Sequence, residues 1–261
     1  MNLRPFNPEF MLQALPVLLP FLAVTLFVGI TSIIGGSLFG GLLTAAKLSR
    51  HSLPRYLARA YTYIMRCTPS IVLLFIVFYG LPRLTEALFD YEIDDFDRSF
   101  FAIVTFVLLF GAYISEVFRS AYLAVPKGQL EAAVSMGLSP LQAVFQVVLP
   151  QAAVIALPNF GNSVINLLKE GALAYTIGLI DLLGKGNLII SQNFGAYAIE
   201  IYLVCMVIYW LMSLAIEKGF SLLESSLDKG QTLQVRQRSQ AVKGLSRAIW
   251  LKGENAHGTG S

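Results

Sequence analysis

The sequence predicts an all-α integral membrane protein with about five transmembrane helices, and three observations predict it. The chain of 261 residues is 56% hydrophobic and only 13% charged, about half the roughly 25% charge of a typical soluble domain. Its mean hydropathy is +0.65. Its apolar residues gather into five long stretches. Lipid as solvent accommodates such a chain, because apolar side chains then face outward as well as inward.

A hydrocarbon core of about 30 Å needs about 20 apolar residues in a helix. The first span is expected over residues 15–46, uncharged until Lys47. Residues 1–14, with Arg4, Pro5, Asn7, Pro8 and Glu9, read as an external N-terminal segment. No cleavable signal peptide is evident, since the first apolar run is too long for a signal core. Within it Gly29, Gly36 and Gly40, flanked by Gly35 and Gly41, make a small-residue stripe. Gly36-x-x-x-Gly40 lets helix backbones approach closely, and packing within the subunit is its expected use. The second span is expected over 61–81, the third over 100–124, the fourth, shorter and more polar, over 151–168, and the fifth over 194–216.

Charge then orients the chain. Lys47, Arg50, Arg55, Arg59 and Arg66 lie between spans one and two without an acid among them, which marks a cytoplasmic segment. Glu86, Asp90, Glu92, Asp94, Asp95 and Asp97 outnumber Arg83 and Arg98 between spans two and three, as expected of an external one. The N-terminus is then outside and the C-terminus inside. Lys229, Arg236, Arg238, Lys243, Arg247 and Lys252 follow the last span and agree. Residues 15–226 form the membrane domain and 227–261 a polar cytoplasmic tail, expected to be mobile. The net charge of +3 reports topology, not nucleic-acid binding.

Several function classes fall away. Cys67 and Cys205 sit in apolar runs without a C-x-x-C spacing, and no metal site is expected. The only histidines are His51 and His257, in a basic loop and in the tail. No H-E-x-x-H or G-x-S-x-G occurs, so an enzyme is not expected. The string from Gly178 to Gly184-Lys185-Gly186 is one residue too long for a phosphate-binding loop. It also ends in Gly where Ser or Thr must reach magnesium. An ion-coupled secondary transporter is the nearer rival, but the chain is short and lacks an inverted repeat.

The segment VPKGQLEAAVSMGLSPLQAVFQVVLPQA, residues 125–152, is too polar to cross the bilayer and too regular for a loose loop. Residues 129–136 lack Gly and Pro and read as a short helix. Gly137 ends it in a left-handed conformation. Ser139 caps a second helix with Pro140 at its first position, running to about Leu149. Two short helices at the cytoplasmic face look like either a docking element or a connector.

Glu131-Ala132-Ala133, Gly137 four residues on and Leu149-Pro150, preceded by Pro126-Lys127-Gly128-Gln129, resemble the EAA loop of ABC importer permeases. The order of third span, loop and fourth span matches as well. The resemblance is closest to permeases for polar amino acids, the histidine/glutamine/arginine/cystine type. Arg66-Cys67-Thr68-Pro69 followed by Tyr79-Gly80-Leu81-Pro82 looks like that family's RGTP…YGLP signature. Gly111-Ala112-Tyr113 with Glu116 and Arg119 resembles the end of its third span. Ile177-Gly178 with Asp181-Leu182 resembles the region after its fourth. The resemblance implies a MetI-like fold and a non-enzymatic transport subunit for amino acids or their derivatives in the bacterial inner membrane. It implies a separate dimeric ATPase that holds ATP and magnesium, while this chain binds no cofactor. It implies a second copy or a homologous permease, and an external substrate-binding protein. It places ATPase coupling at Gln129, Glu131, Ala132, Ala133, Gly137, Leu149 and Pro150. Ala132, Ala133 and Gly137 would keep one surface small for deep seating, and Glu131 would meet basic or helix N-terminal groups.

Polar side chains inside a span need a cavity or a partner. Asn159, Asn162 and Asn166 share one helical face of span four. Ser163, Lys169 and Glu170 lie beside them. With Thr68 they are the expected wall of a translocation path, interhelical hydrogen bonding being the alternative. Glu116 and Arg119, three residues apart, are expected to pair with each other or with Arg66 as an ion pair at an inner gate. Two departures from the family pattern stand out. Lys169-Glu170-Gly171-Ala172-Leu173 replaces its usual KxTSL, removing two hydroxyls. Leu73-Leu74 occupies a stretch where many relatives carry Gln. Both make the path less polar and favour a cystine-like or opine-like substrate over a strongly charged one.

Overall fold

The computed structural model describes residues 6–257, and side chains as far as Leu227. Its helices are α1 (Pro8–Leu18), α2 (Leu22–Leu48), α3 (Ser52–Cys67), α4 (Ser70–Phe89), α5 (Arg98–Ala124), α6 (Lys127–Ser135), α7 (Pro140–Ala143), α8 (Leu149–Gly171), α9 (Leu182–Gln192) and α10 (Ala198–His257). Five of the described segments are long and apolar enough to span a membrane: Pro8–Leu48, Ser70–Phe89, Arg98–Ala124, Pro140–Ile177 and Ala198–Leu227. The chain divides into a unit Met1–Lys218, which holds the packed helices, and a unit Gly219–Ser261. The expectation of a mobile tail falls on residues 227–261, which from 228 on lie outside those whose side chains are described.

Helix begins at Pro8, not near residue 15. Asn7 caps it, its side chain accepting from the backbone N–H groups of Glu9 and Phe10. Pro20 gives one 3₁₀ turn, Leu19–Phe21, before α2 continues. The small-residue stripe of α2 faces α5. A Cβ on Gly36 would stand 2.8 Å from the Phe110 ring, so only glycine admits this backbone approach. Gly40 meets Ile114, Gly111 and Ser115 in the same seam, and the packing is internal to the subunit.

Span two differs from the continuous helix expected over 61–81. It breaks at Thr68-Pro69, where both residues are extended (ψ 127° and 136°). The residue before a proline is pushed out of the α region, so α3 ends at Cys67 and α4 starts afresh at Ser70. Arg83 and Glu86 then belong to α4, not to a loop.

The segment between spans three and four has the expected first helix, beginning two residues earlier than read, and the expected stop. Gly137 is left-handed at φ 93°. The Leu138 N–H donates to the Ala133 carbonyl and the Gly137 N–H to that of Val134, a Schellman closure. Ser139 and Gln142 form a reciprocal capping box with Pro140 at the first position. The second helix is not separate, however. After Ala143 the chain passes through a π turn, Val144–Val148, directly into α8. The Leu149 N–H bonds back to Val144, and this wider turn takes up the register ahead of Pro150, which has no N–H to give.

At the far end of α8 a 3₁₀ helix (Ala172–Ile177) follows. Arg98 Nε donates to the Ile177 carbonyl at 2.9 Å, tying this corner to the start of α5. The short α9 and the first turns of α10 pack Leu182, Ile189, Ile201, Val204 and Ile208 against Ala14 and Leu18.

Candidate functional site

Two places gather the expected site residues. The first is the segment between spans three and four. Gln129, Glu131, Ala132, Gly137, Leu149 and Pro150 are exposed. Ala133 is not: it is buried within its own chain, so it cannot contribute to a small outward surface alongside Ala132 and Gly137. The reason is helical phase, since Leu130 and Ala133 are three apart and share the inward face. Leu130 packs on the cluster of Ala121, Val125, Val148, Ala152 and Ala156 that joins α5 to the base of α8. The outward surface instead carries Met136, Leu141 and Phe145, which are 86%, 70% and 62% exposed. Leu141 and Phe145 fall at the start of Pro140–Ile177, counted above as a span, where open apolar side chains can face lipid as well as a partner, while Met136 lies ahead of it next to Gly137. Sequence reasoning missed them because nothing in an isolated Met or Phe says which face it takes.

The second place is span four. Asn159, Asn162, Asn166 and Lys169 fall on one exposed face, with Ser163 and Glu170 half-buried beside them. Ser163, Asn166, Lys169 and Glu170 line a cleft of about 360 Å³ with Leu109, Phe110, Tyr113 and Leu167. Tyr113 lies roughly 22 Å along α5 from Arg98 at 1.5 Å per residue, about half-way through that span. A second, more open cleft runs along the other side of the stripe, between Asn162, Asn166 and Lys169 and the α10 residues Trp210, Ser213 and Glu217. Asn159 lines neither cleft; its carbonyl accepts from the Ser163 hydroxyl at 2.8 Å. Thr68 lines neither as well, because its hydroxyl turns back to the Ile64 carbonyl at 2.9 Å. Its neighbour Ser70 is the residue that matters, donating to Glu170 Oε2 at 3.0 Å. The break in span two therefore delivers a hydroxyl to a carboxylate deep in the bundle.

The expected inner ion pair is present in part. Glu116 Oε2 accepts from Arg119 at 2.8 Å. Arg66 does not join it; its guanidinium lies 5.7 Å from the centre of the Tyr113 ring. The other oxygen of Glu116 is taken by Lys47 at 2.8 Å. Charge counting had placed Lys47 in the cytoplasmic loop, yet its side chain is fully buried. Among the described residues no group of three His, Cys, Asp or Glu is placed to hold a metal ion.

Five spans, a polar cleft within the bundle and a structured segment between spans three and four define a membrane permease subunit. The chain matches the family described as binding-protein-dependent transport system inner membrane component over residues 37–229, and it belongs to that family. It is 35% identical to an L-cystine transport system permease protein of Bacillus subtilis, over 88% of this chain and 95% of the relative. It is 35% identical to a nopaline transport system permease protein of Agrobacterium fabrum, over 79% and 89%. It is 34% identical to a histidine/lysine/arginine/ornithine transport system permease protein of Escherichia coli, over 74% and 85%. Among solved structures it is similar to an amino acid ABC transporter crystallised with histidines, with 28% identity and a TM-score of 0.74 over 85% of this chain and 100% of that one. The methionine transporter MetNI shares the fold, with 22% identity and a TM-score of 0.61 over 84% and 98%. The fold is that of ABC importer permeases, and the chain is an importer's transmembrane subunit. The ion-coupled alternative is set aside with that.

Proposed function

We propose that this subunit moves an amino acid or amino-acid derivative across the bacterial inner membrane by alternating access, driven by a separate dimeric ATPase that binds ATP and magnesium. The observation that carries the proposal is the cleft at mid-span, where Lys169 and Glu170 stand side by side. An amino acid presents an ammonium and a carboxylate close together, and this pair is complementary to it. Glu170 takes the ammonium, steadied by Ser70, and Lys169 takes the carboxylate. Asn166 and Ser163 offer neutral hydrogen bonds, while Leu109, Phe110 and Tyr113 give the apolar wall on which a longer side chain rests. Gly171 and Ala172 supply no hydroxyls, which suits a cystine-like or opine-like substrate.

The cytoplasmic segment is the coupling element. Met136, Leu141 and Phe145 seat in a groove of the ATPase, Gly137 permits close approach, and Glu131 meets basic or helix N-terminal groups there. Closure of the ATPase dimer biases the spans between inward- and outward-open states. A second copy or a homologous permease completes the path about a two-fold axis. An external binding protein delivers the substrate. The N-terminus is outside and the C-terminus in the cytoplasm.

The test is ATP hydrolysis and uptake by the complex purified in lipid, with external binding proteins loaded with different amino acids. Stimulation by one loaded binding protein is expected, with uptake lost at least about tenfold in Glu170→Gln. A subunit that purifies without any ATPase, under conditions that preserve such complexes, overturns the proposal.

A further inference from the structure

We infer that Lys47 is a clasp that fastens span one to the coupling element, so that α2, α5 and the base of α8 move as one lever. The inference rests on the importer reading above.

The clasp is built from both helices. Lys47 Nζ donates to the Ser115 hydroxyl at 2.6 Å and to Glu116 Oε1 at 2.8 Å. One turn earlier the Thr44 hydroxyl reaches the Ser115 carbonyl at 3.0 Å. Arg119 holds the second oxygen of Glu116, so the carboxylate is bound from both sides. A gate has to part and rejoin, and this arrangement is unsuited to that. The Lys47 side chain is fully buried, and withdrawing Glu116 would strand a cation away from water. The seam above it is no freer to slide, because Gly36 and Gly40 bring the two backbones into contact with Phe110, Gly111 and Ile114. Interfaces packed this closely shift between discrete arrangements rather than deforming continuously.

The same end of α5 carries the coupling element. Ala121 and Val125 pack on Val148, Ala152 and Ala156 of the π turn and α8, with Leu130 of α6 against them. A push on α6 thus reaches α5 and the base of α8 directly, and α2 through Lys47. Lys47 is a positioning residue: it touches neither cleft, and it acts by keeping span one in step with the coupling stroke.

Two variants test this, in a background with Cys67 and Cys205 replaced by Ser. Lys47→Met should lower uptake per ATP hydrolysed by roughly tenfold in a complex that still assembles. The second carries Phe39→Cys and Gly111→Cys. A Cβ on Gly111 would stand 3.4 Å from that of Phe39, close to disulfide range. Oxidation should cross-link α2 to α5 without loss of uptake, and in the Lys47→Met background it should restore uptake per ATP. Uptake that stops on cross-linking and returns on reduction overturns the clasp, as does a normal ratio in Lys47→Met. If Lys47→Met does not assemble, the cross-link decides alone. A parent without ATP-driven uptake refutes the importer reading and the clasp's role together; uptake in a parent whose α2 and α5 must slide refutes the clasp alone.

Discussion

Gly137 has two reasons to be glycine, and one substitution separates them. Its φ of 93° disfavours a side chain, at about 1–2 kcal/mol for most L-residues. It also has open space where a Cβ would stand, so nothing within this chain demands smallness. Asparagine tolerates the left-handed region better than other side chains. If the helix stop were the only need, Gly137→Asn would transport almost normally. On the coupling reading the amide intrudes on the surface shared with Met136 and Leu141, and uptake falls about tenfold or more with the membrane level unchanged. Uptake assays with immunoblots of the membrane fraction distinguish the two. The turn itself was legible, since Gly137 and Ser139-Pro140 are local signals. That Ala133 points inward was not, because it depends on what α6 packs against.

At the scale of elements, the corner between α8 and α9 holds a buried carboxylate. Asp181 caps α9, accepting from the Gly184 N–H at 2.7 Å, and receives the Thr25 hydroxyl at 3.5 Å. The Cys205 thiol and Tyr209 phenol are its titratable neighbours. Asp181 is 1% exposed, and burial raises its carboxyl to about 6. A folded state that holds a proton the unfolded chain has released is stabilised at low pH, and this contribution is lost as pH rises from about 4 through about 6. Asp181→Asn keeps the cap but removes the charge. It should raise the melting temperature of the purified subunit at pH 7 and flatten its dependence between pH 4 and 7. Asp181→Ala, which loses the cap, should lower it. An Asn variant that melts with the parent's full pH slope would show that Asp181 does not titrate in this range. The break in span two belongs to this scale as well. Pro69 is visible in the sequence, but the hydropathy of 61–81 masked it, because apolar runs register lipid contact and not helix continuity.

At the scale of the molecule, the proposed orientation has a direct check. Asp95 lies between α4 and α5 and Ser52 begins α3. In a background without native cysteines, Asp95→Cys should react with a membrane-impermeant thiol reagent in intact spheroplasts, and Ser52→Cys only after lysis. The reverse pattern would invert the topology and put the coupling segment outside, where no ATP-driven partner could reach it. The rule behind the orientation concerns charges in loops, and Lys47 limits it. Two of the five cations counted as cytoplasmic lie against α5, Lys47 as the buried partner of Glu116 and Arg66 over the Tyr113 ring, which leaves Arg50, Arg55 and Arg59 to mark the side.

The sequence by itself determined the class of the molecule: the span count, the short helix between spans three and four with its stop, and the polar face of span four. These follow from composition, helical period and turn chemistry, which are local or additive along the chain. The tertiary structure alone decided which polar groups meet. It matched Ser70 with Glu170, gave Lys47 rather than Arg66 to Glu116, turned Ala133 inward and ran α7 through a π turn into α8. Those outcomes depend on contacts between residues far apart in the chain, where a lysine at the end of a span reads the same whether it faces water or a carboxylate. Only the packing of α2 on α5, set by glycines that let the backbones touch, brings that carboxylate within reach.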